Sequence, residues 1–228
     1  MSPYQIGVDE AGKGPVLGPM VAAAVRADEA DLPDGIDDSK RLTAAKRESI
    51  ATQLRESPAV AVGLGVITTD EIDDPETDMN SLTVAAQVRA LSDVAADGDH
   101  ALVDAGDVSE SRFERRVADG VADNGVTIDV TAEHGADEAS RLVGAASIIA
   151  KVERDNRIDA LNEEYDGDIG SGYPSDPTTR EFLADYVDRH GNLPACARAS
   201  WATCEDVLAA AEQSDLGEFQ RNGGSRQP

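Results

Sequence analysis

Acidic side chains stand where predicted strands end and where a predicted helix begins: Asp9 with Glu10, then Asp104, then Asp137. Acids at the ends of neighbouring strands meet at one rim of a sheet, where α/β active sites usually lie. Carboxylate oxygens with no nearby Cys or paired His favour Mg²⁺ or Mn²⁺ over zinc. The spacing is therefore compatible with a metal site. The alternative is solvated surface acids, with Asp137 serving only as a helix cap.

Asp9 and Glu10 are neighbours, which raises a geometric problem. Successive side chains of a strand point to opposite faces of the sheet, so an unbroken strand would separate the two carboxylates. Gly12 and Gly14 follow closely and can end the strand. We expect this break to let Asp9 and Glu10 share one site.

The glycine-rich turn Gly12-Lys13-Gly14 has two further interpretations. A nucleotide-binding loop is disfavoured, because neither the Walker pattern nor a G-x-G-x-x-G pattern is present. Pro15 also removes a backbone N–H that such a loop would use. A backbone that approaches a sugar-phosphate fits better, and a plain turn between two strands remains the alternative.

The charge of the chain is extreme: 20 Lys+Arg against 45 Asp+Glu give a net charge of −25. Acidic disorder is disfavoured because apolar periodicity runs through most of the sequence. Avoidance of nucleic acid is a second interpretation. We favour a third, adaptation to a salt-rich cytoplasm, because the acids are spread along the whole chain. Binding of nucleic acid in strong salt would then depend on metals and fitted contacts.

No apolar run reaches the roughly 18 residues of a membrane span, and the first residues do not form a signal peptide. We therefore expect a cytoplasmic protein that does not contact membranes. Cys196 and Cys204 lack further ligands at zinc spacing and are predicted to be reduced structural thiols.

The hydrophobic pattern predicts an α/β layered domain with a mixed sheet, in which three strands form an antiparallel meander. Thr43 is expected to cap the first helix. Strands are predicted at 4–9, 16–25 with a Gly-Pro interruption at Gly18-Pro19, 60–66, 101–104 and 126–130. Helices are predicted at 44–56, 81–96, 112–121, 137–164, 178–189 and 201–212.

Several segments, in order along the chain, resemble the ribonuclease HII family (type 2 ribonuclease H) in its archaeal form. The resemblance covers about residues 4–210. Its motifs are GVDEAGKGPVLGP at 7–19, Asp38-Ser39-Lys40, Val103-Asp104, AEHGAD at 132–137, AASIIAKVERD at 145–155, GSGYPSD at 170–176 and Ser200-Trp201.

This resemblance implies a ribonuclease H-like fold: a five-stranded mixed sheet, with three antiparallel strands first, flanked by helices and followed by a C-terminal helical extension. It implies hydrolysis of the RNA strand of RNA–DNA hybrids. It also implies incision 5′ to single ribonucleotides in duplex DNA, leaving a 3′-hydroxyl and a 5′-phosphate. Two Mg²⁺ or Mn²⁺ ions would activate the water and stabilise the leaving oxygen.

The resemblance also implies roles for individual residues. The four metal-binding catalytic acids would be Asp9, Glu10, Asp104 and Asp137. The backbone of Gly12, Lys13 and Gly14 would read the 2′-hydroxyl, Tyr173 would stack on the following deoxyribose, and Ser39 and Lys40 would contact phosphates. Two positions depart from the family: Lys13 stands where Arg is more usual, and Gly135 where Lys often lies.

Other functions remain as alternatives. Ribonuclease HIII shares the fold, but it usually carries an additional N-terminal substrate-binding domain, for which the early motif leaves no room. A non-catalytic nucleic-acid-binding module of the same fold would not need all four acids. A monomer is the expected state.

The catalytic domain is predicted to span 1–212 and to be followed by a flexible tail at 213–228. Within this tail, Gln213, Leu216 and Phe219 resemble a sliding-clamp-binding box, although Gln220 replaces its second aromatic residue. One helical turn would place Leu216 and Phe219 together as anchors for a clamp pocket. A disordered polar tail is the alternative.

Overall fold

The computed structural model describes residues 5–36, 42–165 and 167–223, with side chains described only as far as Gln213. Across these residues the sheet has five strands in the order β3-β2-β1-β4-β5. Strands β1 (Ile6–Ala11), β2 (Met20–Arg26) and β3 (Ala61–Ile67) form an antiparallel meander. Strands β4 (His100–Asp104) and β5 (Asp129–Glu133) continue the sheet in parallel from β1. The predicted mixed sheet is confirmed.

Helices cover both faces of the sheet. One face packs on α3 (Met79–Ser92) and α4 (Glu110–Asp123), and the other on α1 (Ala44–Glu56) and α6 (Arg141–Glu164). The remaining helical segments are a 3₁₀ turn (Glu29–Asp31), α2 (Thr69–Ile72), α5 (Ala136–Ala139), α7 (Pro177–His190) and α8 (Ala202–Gly223). Among these described helices, none is both long enough and apolar enough to cross a membrane.

Glycines in the strands allow the central helices to approach closely. A Cβ on Gly7 of β1 would collide with the backbone of Leu142 and Val143 on α6. A Cβ on Gly63 or Gly65 of β3 would likewise collide with the backbone of α3 on the opposite face of the sheet. Since α6 lies directly on β1, residues of this helix can reach the end of that strand.

Several predicted boundaries are confirmed. Helix α1 spans Ala44–Glu56, and the Thr43 side chain accepts a hydrogen bond from the Lys46 N–H, as a helix cap does. Its buried face carries Ile50, Ala51 and Leu54. The C-terminal helical extension is also present as α7 and α8.

Other predicted boundaries are wrong. The second strand begins at Met20 rather than at residue 16, directly after the predicted Gly18-Pro19 interruption, where Gly18 has a φ of +77°. The helix predicted at 137–164 is two helices separated at Ser140, whose backbone is extended. Helix α3 ends at Ser92, and β5 begins only at Asp129.

The last helix continues past Glu212, its predicted end, to Gly223. Residues 209–216 contain neither glycine nor proline, so no strong helix-ending signal stands at the predicted boundary. The division of the chain at residue 212 and the flexibility of the tail stay predictions.

Candidate active site

The predicted acids lie around the point where the pairing between two parallel strands stops. The last residue pair between β1 and β4 is Val8 with Val103, so Asp9 and Asp104 both follow it at an open rim. An Asp104 carboxylate oxygen accepts a hydrogen bond of 2.8 Å from the Ala136 N–H. This bond joins β4 to the start of α5 and brings Asp137, the next residue, to the same rim.

Asp9 and Glu10 approach this rim from opposite faces of the sheet. The strand predicted to end at residue 9 continues to Ala11, directly before Gly12, so the expectation that the break turns both carboxylates to one face is wrong. Asp9 hydrogen-bonds Ser147 on α6, whereas Glu10 accepts a hydrogen bond from Gln87 on α3. The side chains therefore alternate as in any strand, and the rim lets carboxylates from both faces approach Asp104.

Burial makes this cluster of acids electrostatically costly. Asp9 is only 7% exposed. Its burial, together with the nearby charges of Glu10 and Asp104, raises the pKa of its carboxyl to about 8. Burial also raises the pKa of Glu10, and the positive charge of the Lys13 ammonium partly offsets this rise. Buried carboxylates that raise each other's pKa bind a divalent cation well, because the cation offsets their charge.

As the side chains stand, no three acidic, His or Cys residues of the described chain are grouped closely enough to hold a metal ion. Asp9 and Glu10 lie on opposite faces of β1. The Lys13 Nζ also lies 3.5 Å from a Glu10 carboxylate oxygen and donates to the Gly106 carbonyl at 3.0 Å. The donor set fits divalent metals in chemistry and in charge.

The predicted Gly12-Lys13-Gly14 turn lies directly after β1 and is held from beneath by Arg198. This arginine is fully buried and was not singled out by the sequence. Its guanidinium donates to the carbonyl oxygens of Gly12 at 2.6 Å, Lys13 at 2.9 Å and Gly18 at 3.0 Å. The arginine also lies over the Trp201 ring, with its Cζ 5.1 Å from the centroid.

Tyr173 stands beside this turn, in the loop between α6 and α7, and is 40% exposed. Arg154 of α6 lies over its ring at 5.1 Å and donates to the Ser171 carbonyl at 2.9 Å. The Gly172 carbonyl accepts the N–H of Val16, which ties this loop to the chain after the glycine turn. Tyr173 is thereby fixed close to the turn, and its role in substrate binding stays a prediction.

Lys151 lies closer to the acids than its distance along the chain from Asp137 indicates. Its Nζ donates a 2.8 Å hydrogen bond to Ser147, which in turn contacts Asp9. Fourteen residues separate Lys151 from Asp137, which corresponds to about 21 Å along a straight helix. Lys151 nevertheless lies near the acids, because α6 passes directly beside Asp9 on β1.

Some predicted residues cannot be placed. Ser39 and Lys40 lie outside the described residues. Gln213 is exposed on α8, whereas for Leu216 and Phe219 only the helical backbone is described.

Known proteins resemble this chain over most of its length. The family model described as Ribonuclease HII matches residues 6–204. The chain belongs to the ribonuclease HII family. A curated Ribonuclease HII from Haloarcula marismortui is 64% identical over 215 residues, covering 94% of this chain and 100% of the relative. The expected ribonuclease H endonuclease, a hydrolase, is confirmed.

Solved structures of archaeal members of the ribonuclease HII family share the fold. Ribonuclease H2 from Pyrococcus horikoshii OT3 matches with a TM-score of 0.82 and 37% identity, covering 91% of this chain and 98% of that one. A PCNA:RNase HII complex from Archaeoglobus fulgidus matches with a TM-score of 0.77 and 36% identity, covering 89% and 95%. The ribonuclease H-like fold is therefore shown for this chain.

Proposed function

We propose that this endonuclease cleaves the RNA strand of RNA–DNA hybrids and incises 5′ to single ribonucleotides embedded in duplex DNA. The observation that supports this most directly is the meeting of three features at one rim of the sheet. These are the buried acids, the Gly12–Gly14 turn and the exposed Tyr173 ring. An acidic cluster alone would suit many phosphodiester hydrolases. The other two features would add a surface for a ribose, at the turn, and for the following deoxyribose, at Tyr173.

Asp9, Glu10, Asp104 and Asp137 would hold two Mg²⁺ or Mn²⁺ ions. When bound, such ions supply a Lewis acid, an activated water and a stabilised leaving oxygen. The chain itself orients the donors: Ser147 holds Asp9, Gln87 holds Glu10, and the Ala136 N–H holds Asp104. No side-chain general base is required in this arrangement, so His134 keeps no assigned catalytic role.

Recognition of the substrate would come from the backbone and from Tyr173. A 2′-hydroxyl is both a donor and an acceptor, and it is what distinguishes RNA from DNA at one nucleotide. The Gly12–Gly14 turn presents backbone groups without bulky side chains at its two glycines. The Tyr173 ring would stack on the deoxyribose that follows, and Ser39 and Lys40 would contact phosphates. The result would be a preference for RNA-to-DNA junctions.

The high negative charge gives this enzyme little long-range attraction for nucleic acid. In a salt-rich cytoplasm, long-range attraction to nucleic acid is screened for every protein, so a negative charge would put this enzyme at no disadvantage. The resident metal ions would supply local positive charge at the rim. The salt-adapted character and the cytoplasmic location stay predictions, as does the monomeric state.

A non-catalytic binding module of the same fold is not favoured by the site. Burial raises the pKa of both Asp9 and Glu10, which means that the ionised carboxylates are unfavourable in their present positions. A protein that only bound nucleic acid would gain nothing from such a cluster. A function that requires charge at this rim explains why it is present.

A sliding clamp is the partner that we propose for the C-terminal segment. Gln213, Leu216 and Phe219 are three residues apart in turn, and the backbone through them is helical. Residues at this spacing share one side of a helix, as a peptide that docks into a groove requires. The solved Archaeoglobus fulgidus relative in complex with PCNA lends support to this partner.

The proposed function is tested by incubating the protein at high salt with two duplexes that differ only in one 2′-hydroxyl. One duplex carries a single ribonucleotide and the other is entirely DNA. We expect Mg²⁺ or Mn²⁺ to permit cleavage of the first duplex alone, and EDTA to prevent it. Equal cleavage of both duplexes, or cleavage in EDTA, would contradict the proposal.

A further inference from the structure

Arg198 is the largest fully buried side chain of the described residues, and the catalytic chemistry does not use it. Burial lowers its pKa to about 10. Within the described residues, Arg198 forms no ion pair with a carboxylate, and Asp73 acts on it only at longer range. Burying a charge is costly unless its hydrogen bonds are satisfied. The position of this charge therefore needs an explanation.

The hydrogen-bond acceptors of Arg198 explain why this charge is buried here. The three backbone carbonyls to which it donates all lie in the segment from Gly12 to Gly18. No cis peptide bond occurs in the described chain, and in a trans peptide the C=O and N–H of one unit point in opposite directions. Arg198 draws the carbonyls of Gly12 and Lys13 inwards. The N–H groups of Lys13 and Gly14, which share those peptide units, must point outwards.

The outward side is the side of the proposed substrate. A Cβ built on Gly14 would lie 3.9 Å from Cε1 of Tyr173, so the turn faces that ring. Neither the Lys13 nor the Gly14 N–H donates to a backbone carbonyl among the described residues. Both donors are thus available to an acceptor that enters between the turn and Tyr173.

Arg198 is itself held rigidly. Its own N–H donates to the Val16 carbonyl at 2.8 Å, and the neighbouring Leu17 and Ala197 form a β-bridge. Asp73 accepts the N–H groups of Ala199 and Ser200, which fixes the chain immediately after the arginine. The guanidinium, stacked on Trp201, is a fixed support beneath the turn.

We propose that Arg198 is the positioning residue that aims the N–H groups of Lys13 and Gly14 at the 2′-hydroxyl of the substrate. This inference rests on the proposed function, because it assigns the turn to ribose recognition. Arg198 never touches the substrate. Its fork of donors sets the direction of two peptide units, and its charge, with the aligned peptide dipoles, makes the turn locally positive in a strongly acidic protein.

The variant Arg198→Lys tests this inference, because lysine keeps the charge and loses the planar fork that reaches several carbonyls at once. The measured quantities are the dissociation constants for a one-ribonucleotide duplex and for the matched all-DNA duplex, both with Mg²⁺ in an Asp9→Asn background, in which neither duplex is cut. We expect the preference for the ribonucleotide to fall about tenfold, which equals about 1.4 kcal/mol. Affinity for the all-DNA duplex should stay unchanged.

Two control variants separate positioning from stability. Arg89→Lys alters an arginine that also donates to a backbone carbonyl, that of Val66, but at β3, away from the turn. Ile50→Val weakens the core beneath α1. Neither should change the preference for the ribonucleotide. If Arg198→Lys does not fold, Trp201→Phe keeps the arginine, weakens its stacking, and should lower the preference in the same direction.

An unchanged preference in the folded Arg198→Lys variant would overturn the inference. An equal loss of affinity for both duplexes would also overturn it, since that is the result of a merely structural role. If the wild-type protein showed neither cleavage at a ribonucleotide nor preference for one, the proposed function would fail and the inference would fall with it. Cleavage by the wild type with an unchanged preference in the variant would reject only the role of Arg198.

Discussion

Gln87 on α3 donates a hydrogen bond of 2.8 Å to the Glu10 carboxylate at the end of β1. The same amide nitrogen lies 3.0 Å from the backbone carbonyl of Asp104, so one side chain links the ends of two strands. Gln87 is fully buried, and its own amide oxygen has no partner. A buried unpaired acceptor costs about 1–3 kcal/mol, which indicates that Gln87 serves to orient Glu10 rather than to stabilise the fold.

Replacing Gln87 with methionine should therefore separate activity from stability. Methionine has nearly the same volume, and it removes the unpaired acceptor together with the donor to Glu10. We expect the free energy of unfolding to change by less than about 1 kcal/mol, and kcat to fall at least about tenfold. Denaturant unfolding and steady-state kinetics measure the two effects. Gln53→Met on the exposed surface of α1 is the control, and an unchanged kcat in Gln87→Met would refute the orienting role.

The raised pKa of Asp9 predicts how pH changes the stability of the metal-free protein. An unfolded Asp loses its proton near pH 3.8, whereas folded Asp9 keeps its proton until about pH 8. At a pH between 3.8 and about 8, unfolding releases a proton from Asp9, so the contribution of Asp9 to stability falls as pH rises. The difference in free energy of unfolding between Asp9→Asn and the wild type should therefore shift in favour of the variant as pH rises, by at most about 1.4 kcal/mol per pH unit.

Denaturant unfolding in EDTA at about pH 5 and about pH 8 measures this difference, and the subtraction removes the contributions of the acids that do not interact with Asp9. The same variant should fold normally and lose divalent-metal-dependent cleavage, because Asp9 is a proposed ligand. A stability difference that did not grow with pH would show that Asp9 is not held in a costly environment. Substantial residual cleavage with Mg²⁺ would remove Asp9 from the catalytic residues.

Tyr173 should affect the choice of substrate more than the chemistry. Its ring is fixed by Arg154 beside the turn, so Tyr173→Phe keeps the stacking surface and Tyr173→Ala removes it. Loss of one aromatic stacking contact is worth about 1–3 kcal/mol in nucleic-acid complexes. We expect kcat/KM of Tyr173→Ala to fall about five- to a hundredfold on a single embedded ribonucleotide, and less on a continuous hybrid. The same loss on both substrates would count against a role at the junction.

The C-terminal segment should bind a sliding clamp without affecting cleavage. Truncation after Glu212 removes all three predicted contact residues and leaves every proposed catalytic residue in place. We expect clamp binding in a pull-down to disappear and cleavage of a short duplex to remain at the wild-type rate. Leu216→Ala with Phe219→Ala in the full chain is the matched variant. Clamp binding that survives the truncation would place the interface elsewhere.

Local signals in the sequence predicted most of the fold. Thr43 and the apolar spacing after it defined α1 to the residue, because a helix cap and its first turn are local events. Boundaries failed where tertiary structure decided them. The extended Ser140 divides the predicted long helix so that α6 can lie along β1, whose Gly7 admits it.

The site was predictable only in part for the same reason. Asp9, Glu10 and Asp104 could be proposed because acids at strand ends are visible in a sequence. Gln87 and Arg198 could not, since a buried Gln on a helix and an Arg before a C-terminal helix carry no local signal. Each acts through a contact that joins segments far apart in the chain, at separations of 77 and 186 residues.

The position and chemistry of the cut in a duplex with one ribonucleotide test the central claim most directly. Hydrolysis of the phosphodiester 5′ to the ribonucleotide, which metal ions held by the four acids would promote, leaves a 3′-hydroxyl on the upstream DNA and a 5′-phosphate on the ribonucleotide. We predict these two ends, only with Mg²⁺ or Mn²⁺ present. A cut on the 3′ side of the ribonucleotide that leaves a cyclic phosphate would mean that the 2′-hydroxyl itself attacks. That result would contradict the account of the site.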